Sequence, residues 1–203
     1  MNYIFIALIS FLFNFIWNCF NRNQESKTDL NAHSMDLDSA LFKRISKMYS
    51  RDMFYRNASD SYLITNSKLQ DSLDKLNQQE LVLIIDSFGY PGKSIVGASM
   101  MNKAFLVIQH SNLIYQEKYL PILIEAANKG ELNWQSVALL LDRIEMLNGR
   151  LQIYGSQVCI DSIGKYYVYP IIDKNNVNKR RIEVGLDSID KYLKLYNIQY
   201  DPN

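Results

Sequence analysis

One histidine stands at the end of an apolar helical stretch, where it could serve as an acid–base group. The chain has two histidines. His33 lies in a polar stretch near the N-terminus, so His110 is the histidine in the body of the chain. A neutral imidazole near pH 7 can take up or release a proton, which makes His110, beside Gln109, a candidate acid or base. A structural histidine bonded to helix-end carbonyls is the alternative. A single histidine excludes a histidine-rich metal centre unless carboxylates supply the other ligands, and we expect neither a metal nor another cofactor.

A charged pair, Asp142-Arg143, interrupts the apolar stretch of a later helix. Burying an unpaired charge costs several kcal/mol, so each side chain must face solvent or find a buried partner. Neighbouring helix positions point ~100° apart, so at most one of the two faces the core squarely. We count both, with His110, as candidate catalytic residues, Arg143 being the group that would hold an anion. Plain surface charge is the alternative.

Two polar segments late in the chain are candidates for ligand binding. In the first, QIYGSQ, strand alternation would put Gln152, Tyr154 and Ser156 on one face. Its glycine indicates a bulge or a close approach by another group. The second segment ends in Arg180-Arg181, and two arginines can bind a phosphate or carboxylate through paired hydrogen bonds; a solvated basic turn is the alternative. The candidate ligand-binding residues are Gln109, Gln152, Tyr154, Gln157, Arg180 and Arg181.

No familiar catalytic motif accompanies these residues. The segment Gly89-Tyr-Pro-Gly-Lys-Ser94 follows an apolar run, as a phosphate loop would. It has too few residues between its first glycine and Gly-Lys-Ser to wrap a phosphate, and a turn is predicted instead. There is no Gly-x-Ser-x-Gly, and Cys159 has no activating partner nearby in sequence. Two functions stay open. One is acid–base hydrolysis with His110 as the base. The other is a pocket that binds a small ligand or peptide, or a polar network that fixes the hairpin on the helices.

The elements that would position these residues are mostly helical. From Ser39 onward, apolar residues recur at three- and four-residue steps, and the helical stretches stop at glycines such as Gly130 and Gly149. The period then changes. Two β-branched and aromatic runs flank Asp161-Ser-Ile-Gly164, which predicts a hairpin. The expected fold is mainly α, a single domain over residues 39–203 with about six helices and one late β-hairpin near 151–172. We expect the polar motifs to meet at the ends of these elements in one site.

An N-terminal hydrophobic segment precedes this domain. Residues 3–20, YIFIALISFLFNFIWNCF, are about long enough to span a bilayer core of ~30 Å as a helix. Residues 21–38 are polar and without hydrophobic period, as in a tether. Residues 1–20 are then a retained anchor, a cleaved signal peptide, a lipoprotein leader acylated at Cys19, or a buried helix of the domain. The first three alternatives place the protein in the cell envelope, with the membrane as a partner.

Charge and composition exclude several classes of protein. Lys+Arg 22 against Asp+Glu 21 gives a net charge of +1, so no global field attracts nucleic acid, and we expect no nucleic-acid partner. A hydrophobic content of 48% excludes a disordered chain. The two cysteines, Cys19 and Cys159, are divided between the leader and the body, so an internal disulfide of the domain is not expected.

A set of short motifs connects the candidate residues. They are P-G-K-S-x-V-G from Pro91 to Gly97, Q-H at Gln109-His110, Q-x-x-Y-L at Gln116, G-E at Gly130-Glu131, D-R at Asp142-Arg143, G-x-x-Q-x-Y-G-S-Q from Gly149 to Gln157, and P-I-x-D-x-x-N-V-x-x-R-R-x-x-x-G-L from Pro170 to Leu186. With them, about half of the chain, from Asp86 to Leu193, resembles an uncharacterised bacterial family of unknown function. The resemblance implies candidate residues and no reaction. Ser156 stands where the family more often has Thr, and Asn112 where it often has Asp, so no carboxylate role is carried over to Asn112.

Overall fold

The computed structural model describes residues 35, 37–54, 56 and 60–202. The chain divides into two compact units, Met1–Leu41 and Phe42–Asn203, and all the candidate site residues belong to the second. In the first unit, the described residues are helical. The hydrophobic segment and most of the tether predicted from the sequence lie outside the described residues. Among the residues that the structure does describe, no helix combines the length and apolar character needed to cross a membrane.

The fold is mainly helical with one late hairpin, as predicted. Eight α-helices are found in the described ranges, against about six expected. Short helices account for the difference, because single turns such as Lys93–Val96 give no periodic signal. The helices are α1 (residues 37–54), α2 (Asp60–Phe88), α3 (Lys93–Val96), α4 (Lys103–Gln109), α5 (Leu113–Asn128), α6 (Trp134–Leu147), α7 (Val177–Glu183) and α8 (Ile189–Leu193).

The helix ends follow local chemistry. The Asn112 side chain accepts a hydrogen bond from the Tyr115 N–H and so caps the first turn of α5. After the last turns of α5 and α6, Gly130 and Gly149 adopt φ of 71° and 70°, left-handed values that glycine reaches without strain. The two helices then pack against each other. Between them they contribute the buried apolar residues Leu123, Ala126, Ala127, Val137, Ala138, Leu140 and Ile144.

The hairpin consists of β1 (Val158–Ile160) and β2 (Tyr166–Val168), paired antiparallel with Cys159 opposite Tyr167. The turn falls at Asp161–Gly164, where it was predicted. The hairpin is shorter than the predicted range 151–172, because residues 153–157 form a loop and not a strand.

Gly155 is the physical reason for this loop. Its φ of 69° breaks the strand alternation. A Cβ there would lie 2.6 Å from Ile189 Cδ1 and 2.7 Å from Ile171 Cδ1, so only glycine lets the two isoleucines come this close. Ile171 and Ile189 belong to a small hydrophobic cluster beneath the loop, completed by Val177 and Leu193.

Candidate functional site

Asp142 holds the loop that follows α6. Its side chain is 0% exposed. Oδ1 accepts hydrogen bonds from the backbone N–H groups of Ile153 (2.7 Å) and Tyr154 (2.9 Å), and Oδ2 accepts one from Ser156 (2.8 Å). Burial raises the pKa of the Asp142 carboxyl, and the three N–H donors oppose this shift by stabilising the charged form. Both oxygens are therefore engaged with the protein's own backbone.

Arg180 and Arg181 bind the same loop through its carbonyl oxygens. Arg180 Nε donates to the Ile153 oxygen at 2.8 Å, and Arg181 Nη1 donates to the Tyr154 oxygen at 2.6 Å. Arg181 is 2% exposed, and its guanidinium lies 5.1 Å from the centre of the Tyr192 ring. Burial lowers the pKa of Arg181. Two consecutive residues, Ile153 and Tyr154, thus have their N–H groups bonded to Asp142 and their carbonyl oxygens bonded to the arginines.

The two glutamines complete this arrangement. Gln152 Nε2 donates to the carbonyl oxygens of Gln157 (3.1 Å) and Tyr169, and Gln152 Oε1 accepts from the Gln157 N–H at 2.8 Å. Gln157 Nε2 reaches the Leu139 oxygen on α6 at 3.3 Å. The Tyr154 side chain is half-buried beside Asp142, and burial raises the pKa of its hydroxyl. Together these residues form the loop network: Asp142, Gln152, Tyr154, Gln157, Arg180 and Arg181.

His110, at the C-terminal end of α4, is paired with a buried carboxylate on α1. Its Nδ1 lies 2.9 Å from Asp52 Oδ1 and 3.0 Å from Asp52 Oδ2. Asp52 is 1% exposed, whereas 22% of the His110 side chain is exposed. An Nδ1–H donated to this carboxylate fixes the orientation of the ring and leaves Nε2 for another partner.

The carboxylate of Asp52 belongs to a wider charge network between α1 and α2. Arg56 Nη1 donates to Asp52 Oδ1 at 2.8 Å and to Asp74 Oδ1 at 2.9 Å. Gln70 Nε2 also donates to Asp74 Oδ1, at 2.6 Å. Both carboxylates are therefore already bonded to donors of the protein.

Arg143 lies next to this network without joining its ion pairs. Its Nε is buried and, within the part of the chain that the structure describes, has no hydrogen-bond partner. Burial lowers the pKa of Arg143, and the positive charge of Arg56 lowers it further. The His110–Arg143 cluster is the set Asp52, Arg56, Gln70, Asp74, His110 and Arg143.

Gln116 supports the turn that carries His110. It is fully buried, and its Nε2 donates to the carbonyl oxygens of Gln109 and Ser111, each at 2.9 Å. The two carbonyls flank His110 in sequence, so Gln116 fixes the backbone on both sides of it. Gln109 takes part through this carbonyl. Gln116 Oε1 has no hydrogen-bond partner among the described residues.

Hydrogen bonds join the residues of the loop network and, separately, His110 with Asp52 and Arg56. Arg143 is grouped with the second set through the charge of Arg56 alone. Asp142 faces the loop network and Arg143 faces the His110–Arg143 cluster, as the ~100° between adjacent helix positions requires. Their functional roles stay predictions. No group of three or more His, Cys, Asp or Glu residues suited to a metal ion is found in the described ranges.

Sequence reasoning missed Asp52 and Arg56. The signal was present, because Ile45, Met48 and Asp52 follow one another at helical steps along one face of α1. A carboxylate on such an apolar face must be paired, and Arg56, one turn later, supplies the pair.

Comparison with known protein families gives a match over most of the chain. A family model described as "Family of unknown function (DUF6624)" matches residues 57–202. That range includes the whole loop network together with His110 and Arg143, and it begins after Asp52 and Arg56. No curated protein and no solved structure matches the chain.

Proposed function

We propose that the chain, which belongs to the DUF6624 family of unknown function, binds a small anionic ligand at the His110–Arg143 cluster. The observation that carries the proposal is the Arg143 guanidinium, whose buried Nε has no hydrogen-bond partner in the described part of the chain.

The charges around Arg143 favour an anion. A buried cation loses hydration, and a neighbouring cation, Arg56, adds repulsion. The carboxylates of Asp52 and Asp74 accept hydrogen bonds from Arg56, and no ion pair joins either of them to Arg143 in the described ranges. A carboxylate or phosphate group can accept two parallel hydrogen bonds from a guanidinium, which would offset both costs.

His110 is the second group that we assign to the ligand. Asp52 contacts both His110 and Arg56, so it links the imidazole to the neighbourhood of Arg143. With Nδ1 held by Asp52, a protonated His110 would present Nε2–H as a donor at the partly exposed side of the cluster.

Binding can be measured as stabilisation of the full-length protein by a simple anion. The probes are sodium succinate and sodium phosphate, compared with sodium chloride at equal ionic strength. At tenfold above its Kd, a probe should stabilise the fold by about 1.4 kcal/mol. For a domain of this size, that corresponds to a rise in melting temperature of about 3–6 °C.

The matched variants for this test are Arg143→Met and Arg150→Met. Arg150 is an exposed arginine that is paired with Glu145, and its loss should leave the anion effect intact. Arg143→Met should abolish it. An equal shift in both variants, or no shift of the wild type with either probe, would contradict the proposal.

A second candidate function, acid–base hydrolysis, is favoured by the Asp52–His110 pair. A histidine whose Nδ1 is held by a buried carboxylate is oriented to accept a proton from water at Nε2. Turnover of p-nitrophenyl acetate or p-nitrophenyl phosphate should then fall roughly 10²–10⁴-fold in His110→Ala. Absence of turnover above buffer in the wild type would reject hydrolysis of these ester classes.

The proposed place of action is the cell envelope. The support is the apolar run of residues 3–20, which has the length of a bilayer-spanning helix. Fractionation of cells that contain the tagged full-length protein should recover it with the membranes or outside the cytosol. Recovery in the soluble cytosolic fraction alone would contradict this location.

A further inference from the structure

One face of α2, the longest described helix, carries a row of exposed leucines. Leu69, Leu76 and Leu83 are 52%, 45% and 66% exposed, and they follow one another at steps of seven residues. Seven residues are close to two helical turns, so the three side chains form a stripe about 21 Å long. Scattered exposed leucines are ordinary on protein surfaces, but a seven-residue repeat is the spacing at which one helix packs along another.

The leucine stripe lies away from the proposed anion site. Two residues of the His110–Arg143 cluster, Gln70 and Asp74, belong to α2. At 100° per residue they lie about 120° and about 160° around the helix from Leu76. A contact on the stripe is therefore independent of anion binding, and it goes beyond the proposed function.

A groove opens beside the N-terminal end of the stripe, between α1 and α2. It has a volume of about 460 Å³ and a mainly apolar surface. The residues that line it are Lys47, Ser50, Arg51, Phe54, Leu69, Ser72 and Leu73. Leu83, the most exposed leucine of the stripe, lies at the opposite end. The same face thus has a cavity at one end and a protruding leucine at the other, which is what an interface between two identical surfaces requires.

Opposite charges flank the two ends of the stripe. Lys68 and Asp86 are exposed, and both lie about 80° around the helix from Leu76, on the same side of the stripe. Along the helix axis, Lys68 lies about 12 Å before Leu76 and Asp86 about 15 Å after it. The charge of Asp86 also acts on Lys118 of α5. One side of the stripe therefore begins with a positive charge and ends with a negative charge.

We propose that this face of α2 is a dimer interface, on which a second copy of the chain packs its own α2 in the antiparallel direction. A two-fold axis passes beside Leu76, so that Leu76 faces Leu76 of the second copy. Leu69 then faces Leu83 of the second copy, whose side chain enters the groove. The seven-residue repeat, the groove and the protruding leucine are all used by this one arrangement.

The charges select the antiparallel direction. The two-fold axis brings Lys68 and Asp86 of the second copy to the same side, about 3 Å apart along the axis, so two equivalent ion pairs close the ends of the interface. In a parallel pair these two charges would be about 27 Å apart along the axis. Lys75 lies near the axis in both copies, but it is about 100° around the helix from Leu76 and extends into water.

Cysteine cross-linking in the full-length protein tests the contact and its direction. Leu76→Cys should form a disulfide between two copies, because the two positions face each other at the axis. Leu69→Cys expressed together with Leu83→Cys should also cross-link. Leu69→Cys alone should not, because its two copies would be about 21 Å apart. The wild type, which keeps Cys19 and Cys159, gives the background.

Two cross-linking results would overturn the proposal. One is a disulfide in Leu69→Cys alone as abundant as that in Leu76→Cys, which would indicate a parallel pair or random collision. The other is the absence of cross-linking above background in every variant.

Sedimentation of the full-length protein in a mild detergent measures the association itself. Between about 1 µM and about 100 µM, the wild type should pass from one chain to two chains per particle. Leu76→Glu should stay a single chain, because two carboxylates would face each other at the axis. The matched control is Leu195→Glu, at a leucine that is 76% exposed elsewhere on the surface, and it should associate like the wild type.

A wild type that stays monomeric would overturn the proposal, and the stripe would then belong to a contact with a different protein. Association of Leu76→Glu equal to that of the wild type would place the contact on another surface and also overturn it.

Charge exchange tests the ion pairs. Asp86→Lys should weaken association roughly tenfold, because each Lys68 would then face a lysine. Adding Lys68→Asp to this variant should restore association, since both pairs form again with their charges exchanged. A double variant that associates no better than Asp86→Lys would overturn the antiparallel arrangement.

Discussion

The loop network and the His110–Arg143 cluster are built from the same residue types, and adjacent residues of α6 serve them. They differ in how completely their charges are matched. In the loop network, Asp142 accepts three backbone N–H groups, and no buried side-chain atom of its six residues lacks a partner in the described ranges. In the cluster, the buried Nε of Arg143 has no hydrogen-bond partner among the residues that the structure describes.

This difference separates a structural polar network from a candidate binding site. Buried polar groups are nearly always hydrogen-bonded, because leaving one unsatisfied costs about 1–3 kcal/mol. A fully satisfied network fixes the backbone and has nothing left for a ligand. In a network with one unmatched charge, the free-energy cost of burying that charge remains, and a ligand of opposite charge can offset it. The following substitutions test this contrast.

The largest effect is expected for Asp142→Asn. The amide would turn an N–H donor toward one of the three backbone N–H groups that the carboxylate now accepts, and a buried donor would be stranded. We expect a loss of about 3–5 kcal/mol in the free energy of unfolding, measured by urea denaturation. Asp71→Asn, at an exposed position of α2, is the control and should stay within about 0.5 kcal/mol of wild type. Equal losses of stability in the two variants would contradict the structural role of Asp142.

Gly155→Ala should cause the second-largest loss of stability, because the new methyl group introduces both backbone strain and a steric clash. The residue has φ of 69°, and the new Cβ would lie 2.6 Å from Ile189 Cδ1. The free energy of unfolding should fall by about 2–3 kcal/mol, as measured by thermal melting. Gly164→Ala separates the two causes, since its φ is 82° but nothing lies within 4 Å of the new Cβ. The free energy of unfolding of this control variant should fall by about 1 kcal/mol. If Gly155→Ala loses no more stability than Gly164→Ala, the two isoleucines must move to make room for the new methyl group.

The two arginines of the comparison should respond with opposite signs when each is replaced by methionine. Arg181→Met removes donors to the Tyr154 and Asp187 oxygens and should lose about 2 kcal/mol. Arg143→Met removes an unmatched cation and should be neutral or stabilising by up to about 1 kcal/mol in the absence of anions. Both are measured in chloride buffer by thermal melting. A loss in Arg143→Met as large as that in Arg181→Met would break the contrast on which the anion proposal stands.

Apart from the controls, the smallest loss of stability is expected for His110→Gln. Asp52 would lose one donor but keep its bond to Arg56, and the replaced side chain is partly exposed. We expect a loss of about 1 kcal/mol. A loss above about 3 kcal/mol would assign His110 to the structure and end its candidacy as a ligand or proton-transfer group.

Much of the fold was predictable because its signals are local. The period of apolar residues gave the long helices, and the turn residues Asp161 to Gly164 gave the hairpin at its observed place. The strand predicted at residues 152–157 failed for a non-local reason. Its conformation is set by Asp142, eleven or more positions away from the groups it binds, and by two isoleucines that close over Gly155.

The candidate site was predictable only in part. His110 and the pair Asp142-Arg143 were conspicuous as polar groups in apolar stretches, but Asp52 looked like an ordinary helix residue until its partner 58 positions away was known. The helical architecture, the late hairpin and the apolar run of residues 3–20 can be recognised in the sequence, because each depends on neighbours within a few residues. Which charged residues are matched depends on the tertiary structure, because a buried charge is balanced by groups that the fold brings from distant parts of the chain.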